Sequence, residues 1–309
     1  MKVAQKVLFG LVAILSICVA AFAADKTVVS KVVQDVYPGL SNGALSYASL
    51  AELPEGVLLK AQGVEVKADT IAAIIDFQPQ AEQEEYKKNA FFILEQEATG
   101  KILLSLAKQA IAQSEAEAVL EDNALIQKYF ETVVFKDLQV TDTEVKDFYE
   151  KNKELCGGAP LTQVESSLKV YVLGQKKQQV VSEYIRVLGK QNAIEVSSSW
   201  VKDKAVLAFD NPVDKARHSG KPSMVDFGAS GCKACDMMTP ILETLGKKYQ
   251  DKVNVLFISV RQQQTLASRY GVQSIPVQVF FDKDGKEVFR HDGFFAQEKI
   301  ENIFTEMGF

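Results

Sequence analysis

Pro222-Ser223-Met224-Val225-Asp226-Phe227-Gly228-Ala229, followed after Ser230 and Gly231 by Cys232-Lys233-Ala234-Cys235, is the stretch on which the fold of this chain turns. Its first eight residues read as a strand, and the residues from Cys232 open an amphipathic run that continues to Lys248. The order strand, Cys-x-x-Cys, helix puts the first sulfur at a helix N-terminus. There, unpaired backbone N–H groups and the helix dipole favour a thiolate over a thiol. Two intervening residues bring the second sulfur one turn on, within reach of a mixed disulfide formed by the first.

Cys-x-x-Cys alone is also half of a zinc site or a small structural loop. Zinc needs two further ligands, and the chain offers no second Cys-x-x-Cys and only two histidines, His218 and His291. No metal and no cofactor beyond a redox-active Cys232–Cys235 disulfide is therefore expected. Redox exchange is preferred to an inert bridge.

The flanking pattern strengthens this. Val225-Asp226-Phe227 precedes the cysteines, Pro240-Ile241-Leu242 lies within the helix, and Tyr270-Gly271-Val272-Gln273-Ser274-Ile275-Pro276 follows a further strand and helix. With Gly293 read as closing the last hairpin, the set resembles thioredoxin over about residues 199–309. The resemblance implies an α/β fold with a central mixed sheet flanked by helices, and a cis Ile275-Pro276 bond facing the sulfurs. A proline there, lacking an N–H, leaves neighbouring backbone groups free for a substrate chain. Cys232, Cys235 and Asp226 are the candidate catalytic residues, and Ile275, Pro276 and Gly231 the candidate substrate-binding ones. Pro240, Met237, Met238, Ile241 and Leu245 are assigned structural roles.

Two departures from the thioredoxin pattern bear on mechanism. Gly231 stands where thioredoxins carry tryptophan, so the site lacks an aromatic shield and admits bulkier partners. The family's buried lysine near the strand carboxylate aligns with Phe257. Asp226 would then be desolvated without a cation, which raises its pKa and suits it to exchange a proton with Cys235. A solvated strand acid is the alternative. Lys233 should favour the Cys232 thiolate modestly, with Asp236 opposing it.

Working outward, 309 residues that are 47% apolar suffice for two domains. Lys2 and Lys6 precede the uncharged run Val7 to Ala23, which ends Ala21-Phe22-Ala23. This predicts an export signal, residues 1–23, cleaved after Ala23, with an uncleaved membrane anchor as the alternative. A lipoprotein attachment at Cys18 is disfavoured because Ile17 stands where a small residue is wanted. Cleavage removes two lysines and no acid, moving the formal charge from -5 to -7, which disfavours nucleic acid as a partner. Cys156, Cys232 and Cys235 remain, in a compartment where pairing and exchange are both chemically allowed. Cys156 is left over, and a small buried hydrophobe is its default role.

Residues 24–196 read as mostly helical. A strand is expected at Gly56 to Val66 and a helix beginning near Asp69. A long periodic stretch follows from Ala81 to Gln113, with Phe91, Leu94, Ile102, Leu103, Leu106 and Ile111 near one face and Gly100 as a candidate break. A helix is expected from Glu117 to Phe135. The pairs Thr141/Glu144 and Thr162/Glu165 are capping-box patterns that predict helices from Thr141 to about Lys153 and from Thr162 to about Lys190. Cys156-Gly157-Gly158-Ala159-Pro160 is a loop by composition. Ala193 to Val196 reads as a strand pairing back on Gly56 to Val66.

The strand-Gly-strand order at Val57 to Val66, the Phe91-Phe92-Ile93-Leu94 helix and the stretch Val140 to Lys153 resemble the N-terminal chaperone domain of SurA-type periplasmic foldases, over about residues 55–196. A parvulin domain usually follows the segment matching Tyr149 to Lys153; here only a short loop does, leaving no room for it. The chain is thus read as an α+β two-domain protein: a helical SurA-N-like domain over 24–196, linker and first thioredoxin elements over 197–221, and a redox core over 222–309. Its expected function is a periplasmic thiol–disulfide oxidoreductase, reductase or isomerase of client disulfides, fed by a membrane thiol electron carrier. The alternative is a chaperone or scaffold with a vestigial disulfide, and a dedicated oxidant differs only in potential. No oligomeric state is legible.

Overall fold

The computed structural model describes residues 31–111 and 120–309. The expected signal segment, Cys18 with it, and the first residues of the helix expected from Glu117 lie outside the described residues. The chain enters through α1 (Val33–Val36) and β1 (Ser49–Ala51), then folds into a hairpin of β2 (Val57–Ala61) and β3 (Val64–Lys67). Gly63 turns the hairpin at φ +70°, a conformation that costs glycine no Cβ clash. Leu59 and Val66 point inward and are fully buried, so the stretch Gly56 to Val66 is two paired strands.

α2 (Ala68–Asp76), α3 (Gln83–Lys88) and α4 (Ala90–Ala110) follow. The periodic run from Ala81 breaks at Asn89, while Gly100, the expected weak point, sits inside α4. The Asn89 side chain donates to the Glu85 carbonyl at 2.9 Å, a local bond of the kind that competes with helix propagation. Phe91, Leu94, Ile102 and Leu103 are buried on one face, as their spacing requires.

α5 (Asp122–Tyr129) widens into a π turn over Phe130–Val134 in place of the expected continuous helix to Phe135. α6 (Asp142–Lys151) carries the Thr141/Glu144 capping box: Glu144 N–H donates to Thr141 Oγ1 at 3.2 Å, and Thr141 N–H donates to Glu144 Oε2 at 2.8 Å. α7 (Leu161–Gln191) forms without the second expected box. Pro160 takes its N-cap, no side chain caps it, and Thr162 lies inside the first turn. A proline fixes φ near the value needed and has no N–H to satisfy.

β4 (Glu195–Ser197) pairs antiparallel with β2, Val196 opposite Leu59, as expected. It also pairs parallel with β1, a three-residue strand too short to leave a periodic signal. The stretch 197–221 holds α8 (Ser198–Ala208) and α9 (Pro212–Arg217). Val201, Ala205 and Ala208 of α8 share one core with Leu59, Val66, Phe91, Leu94 and Ala98, and the Trp200 ring lies 6.5 Å from that of Phe91.

The second sheet is built from β5 (Ser223–Gly228), β6 (Asn254–Ser259), β7 (Val277–Phe281) and β8 (Glu287–Asp292), in the order β6-β5-β7-β8. β5 and β6 are parallel and the other pairs antiparallel. Strand alternation sends Val225, Phe227, Val277 and Val279 to one face, where Leu266 and Tyr270 cover them. Met224 and Phe280 go to the other face, against Met238, Leu245, Ile300 and Phe304. The covering helices are α10 (Lys233–Lys248), α11 (Gln264–Arg269) and α12 (Gln297–Glu306). Gly285, at φ +74°, turns the β7–β8 hairpin. Gly293 was expected to close it but stands past β8, where its N–H donates to the Pro276 carbonyl at 2.7 Å.

Buried charge joins the two sheets' surroundings. Arg269 of α11 donates to the carbonyls of Ala208 at 2.8 Å and Gly39 at 3.0 Å, and pairs with fully buried Asp214 at 2.9 Å. Glu85 of α3 accepts the Thr265 N–H of α11 at 3.0 Å. Lys31–Phe309 accordingly forms one compact unit. Among the described residues no helix is long and apolar enough to cross a membrane.

Candidate active site

Cys232 is the N-cap of α10 and Cys235 ends its first turn. The two sulfurs are bonded, with Cα atoms 5.2 Å apart. The Cys235 N–H points at Cys232 Sγ from 3.3 Å, one of the orphan donors at a helix start. That donor would stabilise negative charge on the Cys232 sulfur when the bond is reduced. Cys232 is half-buried, whereas Cys235 is 3% exposed. An incoming disulfide thus meets Cys232 first.

The loop before β7 brings Ile275 and Pro276 to the sulfurs. The Ile275–Pro276 peptide is cis, and the Ile275 carbonyl oxygen lies 3.9 Å from Cys232 Sγ. Gly231 is exposed at φ +79°, and a Cβ placed on it would touch nothing within 4 Å. Glycine is therefore required here by the backbone, not by crowding. Cys156 stands apart in sequence, half-buried and free at the end of the turn Lys153–Cys156.

Asp226 is fully buried on β5. Burial pushes its carboxyl up to about 6, and a hydrogen bond donated by Gln278 pulls the other way. Phe257, on the neighbouring parallel strand, is its register partner, so an aromatic ring stands where a cation would have lowered that pKa. A Cβ built on Gly228 would lie 3.4 Å from both Asp226 Oδ2 and Cys235 Cβ. The carboxyl and the second cysteine thus border the same small space.

Among the described residues no group of His, Cys, Asp or Glu is placed to hold a metal ion. Residues 201–306 match the family model for thioredoxin. A thioredoxin from Borreliella burgdorferi is 34% identical over 107 residues, 34% of this chain and 91% of that protein. One from Staphylococcus aureus is 36% identical over 101 residues, 33% of this chain and 95% of its own length.

This chain belongs to the thioredoxin family.

It is a thiol–disulfide oxidoreductase, and as in other thioredoxins the cysteine pair is itself the redox group, used without a cofactor. The match spans about a third of the chain, and residues before 201 lie outside it. The structure gathers Cys232, Cys235, Asp226, Ile275, Pro276 and Gly231 in one place. It adds one residue that sequence reasoning missed. Gln278, fully buried on β7, donates from Nε2 to Asp226 Oδ1 at 2.7 Å. Its only signal in the sequence is a polar side chain within the apolar run Val277-Gln278-Val279-Phe280-Phe281.

Proposed function

We propose that this thioredoxin-family protein works outside the cytoplasm, in the periplasm, as a reductase or isomerase of disulfides in client proteins. The Cys232 thiolate attacks a client disulfide, forming a Cys232–client bond and releasing the other client sulfur as thiolate. The Cys235 thiolate then attacks Cys232 Sγ, which closes the Cys232–Cys235 disulfide and releases the second client thiolate. Asp226, as a carboxylate, takes the proton that Cys235 gives up. Run backwards, the same carboxyl returns that proton as the disulfide opens. Two electrons pass to the client per cycle, replaced by a thiol donor; a membrane thiol carrier fits an exported location.

The observation that carries this reading is the asymmetry of the pair: Cys232 reachable at a helix N-cap, Cys235 buried behind it beside a carboxyl of raised pKa. The export signal read at residues 1–23 supports the location. Cys232→Ser should abolish dithiol-dependent reduction of a model disulfide, and full activity in that variant would sink the mechanism. Cys235→Ser should instead accumulate covalent client adducts on non-reducing gels. N-terminal sequencing of the protein from a cell-envelope fraction should begin at Ala24.

The helical half, read as SurA-N-like, would then present clients to the cysteines. Val170 and Tyr171 of α7 favour such a role, being 73% and 42% exposed. Burial raises the Tyr171 hydroxyl pKa and the Asp292 carboxylate adds to it, so this apolar patch lies within electrostatic range of the strand end beside Gly293. The same patch is what a chaperone with an idle disulfide would use. A stable, unreactive Cys232–Cys235 bond in a glutathione titration would favour that alternative.

A further inference from the structure

Phe257, Asp226, Gln278 and His291 are successive register partners across β6, β5, β7 and β8, so they form one row on the face covered by α10. The adjacent row holds Val255, Met224, Phe280 and Phe289, all apolar. Asp226 and Gln278 are both fully buried. They share one hydrogen bond, Gln278 Nε2 to Asp226 Oδ1, while Asp226 Oδ2 and Gln278 Oε1 have no partner. Leaving two buried acceptors unpaired is costly; an apolar side chain at position 278 would remove Oε1 but orphan Asp226 Oδ1 as well as Oδ2, so the amide gives the carboxyl a partner that it would otherwise lack. A primary amide has a property that no apolar residue shares: it donates from one end and accepts at the other.

We propose that Gln278 is the positioning residue that holds Asp226 in both of its proton states. Its N–H donates to the carboxylate, and after a half-turn of the amide its Oε1 accepts from the carboxylic acid. This rests on Asp226 being the proton partner of Cys235. When Asp226 takes that proton it becomes a donor, and the Gln278 N–H then faces a group with less to offer it. The half-turn converts the mismatch into an O–H···O bond and gives the orphaned Oε1 its partner. No covalent bond changes in Gln278; the proton taken at Oδ2, the oxygen bordering Cys235, is brought to Gln278 by a half-turn of the carboxyl, and the reverse half-turn offers it back to Cys235. Asp226 would thereby keep its aim at the space it shares with Cys235 throughout the cycle.

The titratable groups around this pair are few. Cys235 borders it from α10, and His291 follows Gln278 in the row from β8, its pKa lowered by burial. On β6 the facing residue is Phe257, which does not titrate. The His291 ring is stacked on Phe295 and its Nε2 lies 3.1 Å from the Phe294 carbonyl oxygen.

The test uses the full chain. Gln278→Met keeps the length and removes both amide functions. Resolution of a pre-formed Cys232 mixed disulfide should slow about tenfold at neutral pH, with a displaced pH midpoint. The initial attack by Cys232 should be unchanged. In the unmutated protein, nuclear Overhauser contacts from the Gln278 amide protons to the Asp226 methylene should be present above the Asp226 pKa and lost below it. Contacts that persist at both pH extremes would overturn the half-turn, as would a Gln278→Met variant with parental resolution rate and midpoint. Asp226→Asn run in parallel separates the two levels. If it leaves the pH profile of resolution intact, the proton role of Asp226 fails and this inference with it. If it flattens the profile while Gln278→Met changes nothing, only the inference about Gln278 fails.

Discussion

At the scale of single residues, the chemistry of this site depends on what stands beside Asp226. A thioredoxin lysine at position 257 would hold the carboxyl ionised; Phe257, although 51% exposed, brings a ring and no charge. Phe257→Lys should therefore lower the Asp226 pKa from about 6 by about 1–2 units, the usual effect of an adjacent cation. The acid limb of the resolution rate should move down with it, and a carboxyl carbon titration by NMR checks this directly. The same raised pKa makes Asp226 a pH-dependent burden on the fold. Between about pH 4 and pH 6 the unfolded chain carries Asp226 ionised while the folded chain holds its proton, so stability falls as pH rises through that window. Above it the full penalty applies, about 3 kcal/mol from a displacement of 3.8 to about 6. Asp226→Asn should match the parent near pH 4 and exceed its stability by up to that amount near pH 8, measured by urea unfolding of the oxidised protein. Equal gains at both pH values would show that burial of the charge is not the cause.

At the scale of elements, local signals performed unevenly, and for identifiable reasons. Thr141 and Glu144 form their capping box through Glu144 Oε2, while Lys176 takes the other carboxylate oxygen at 2.7 Å and leaves the box intact. Thr141→Ala should cost about 1 kcal/mol of stability, read as a lower midpoint of thermal unfolding, whereas Thr162→Ala should be silent because Pro160 already occupies that cap. Asn89 ends α3 through a side-chain bond donated to the Glu85 carbonyl one turn back, while Gly100 is tolerated because α4 is held on one face by Phe91, Leu94 and Ile102. The penalty for one glycine, about 1 kcal/mol, is small beside the burial of those three side chains. The strand Ser49–Ala51 left no pattern to read, since three residues contain one alternation and its partner lies far along the chain.

At the scale of the whole molecule, α8 and Arg269 decide how the parts behave together. α8 falls within the thioredoxin match for most of its length, yet its buried face completes the core of the first half. The single tryptophan, Trp200, reports on that packing. Unfolding followed by Trp200 fluorescence and by far-UV circular dichroism should give one coincident transition. Arg269→Met leaves buried Asp214 with Arg217 as its remaining cation and frees the carbonyls of Gly39 and Ala208. Removing one partner from such a buried network costs about 3–5 kcal/mol, so the variant should unfold at distinctly lower denaturant, and separated transitions would show the halves uncoupled.

The sequence by itself determined the redox element. Strand, Cys-x-x-Cys and helix are contiguous, so the position of Cys232 at a helix start follows from local chain geometry, and the resemblance to thioredoxin made Pro276 and Phe257 legible. Tertiary structure alone decided the rest of the environment. Gln278 meets Asp226 only because β7 pairs antiparallel with β5 in one register, and a shift by one residue would turn it to the opposite face. Arg269, an unremarkable helix cation in the sequence, becomes a buried joint because Gly39 and Ala208, 230 and 61 residues away, arrive to accept its hydrogen bonds. Local order is written in neighbouring residues, whereas burial and partner choice depend on segments that meet only once the chain has closed on itself.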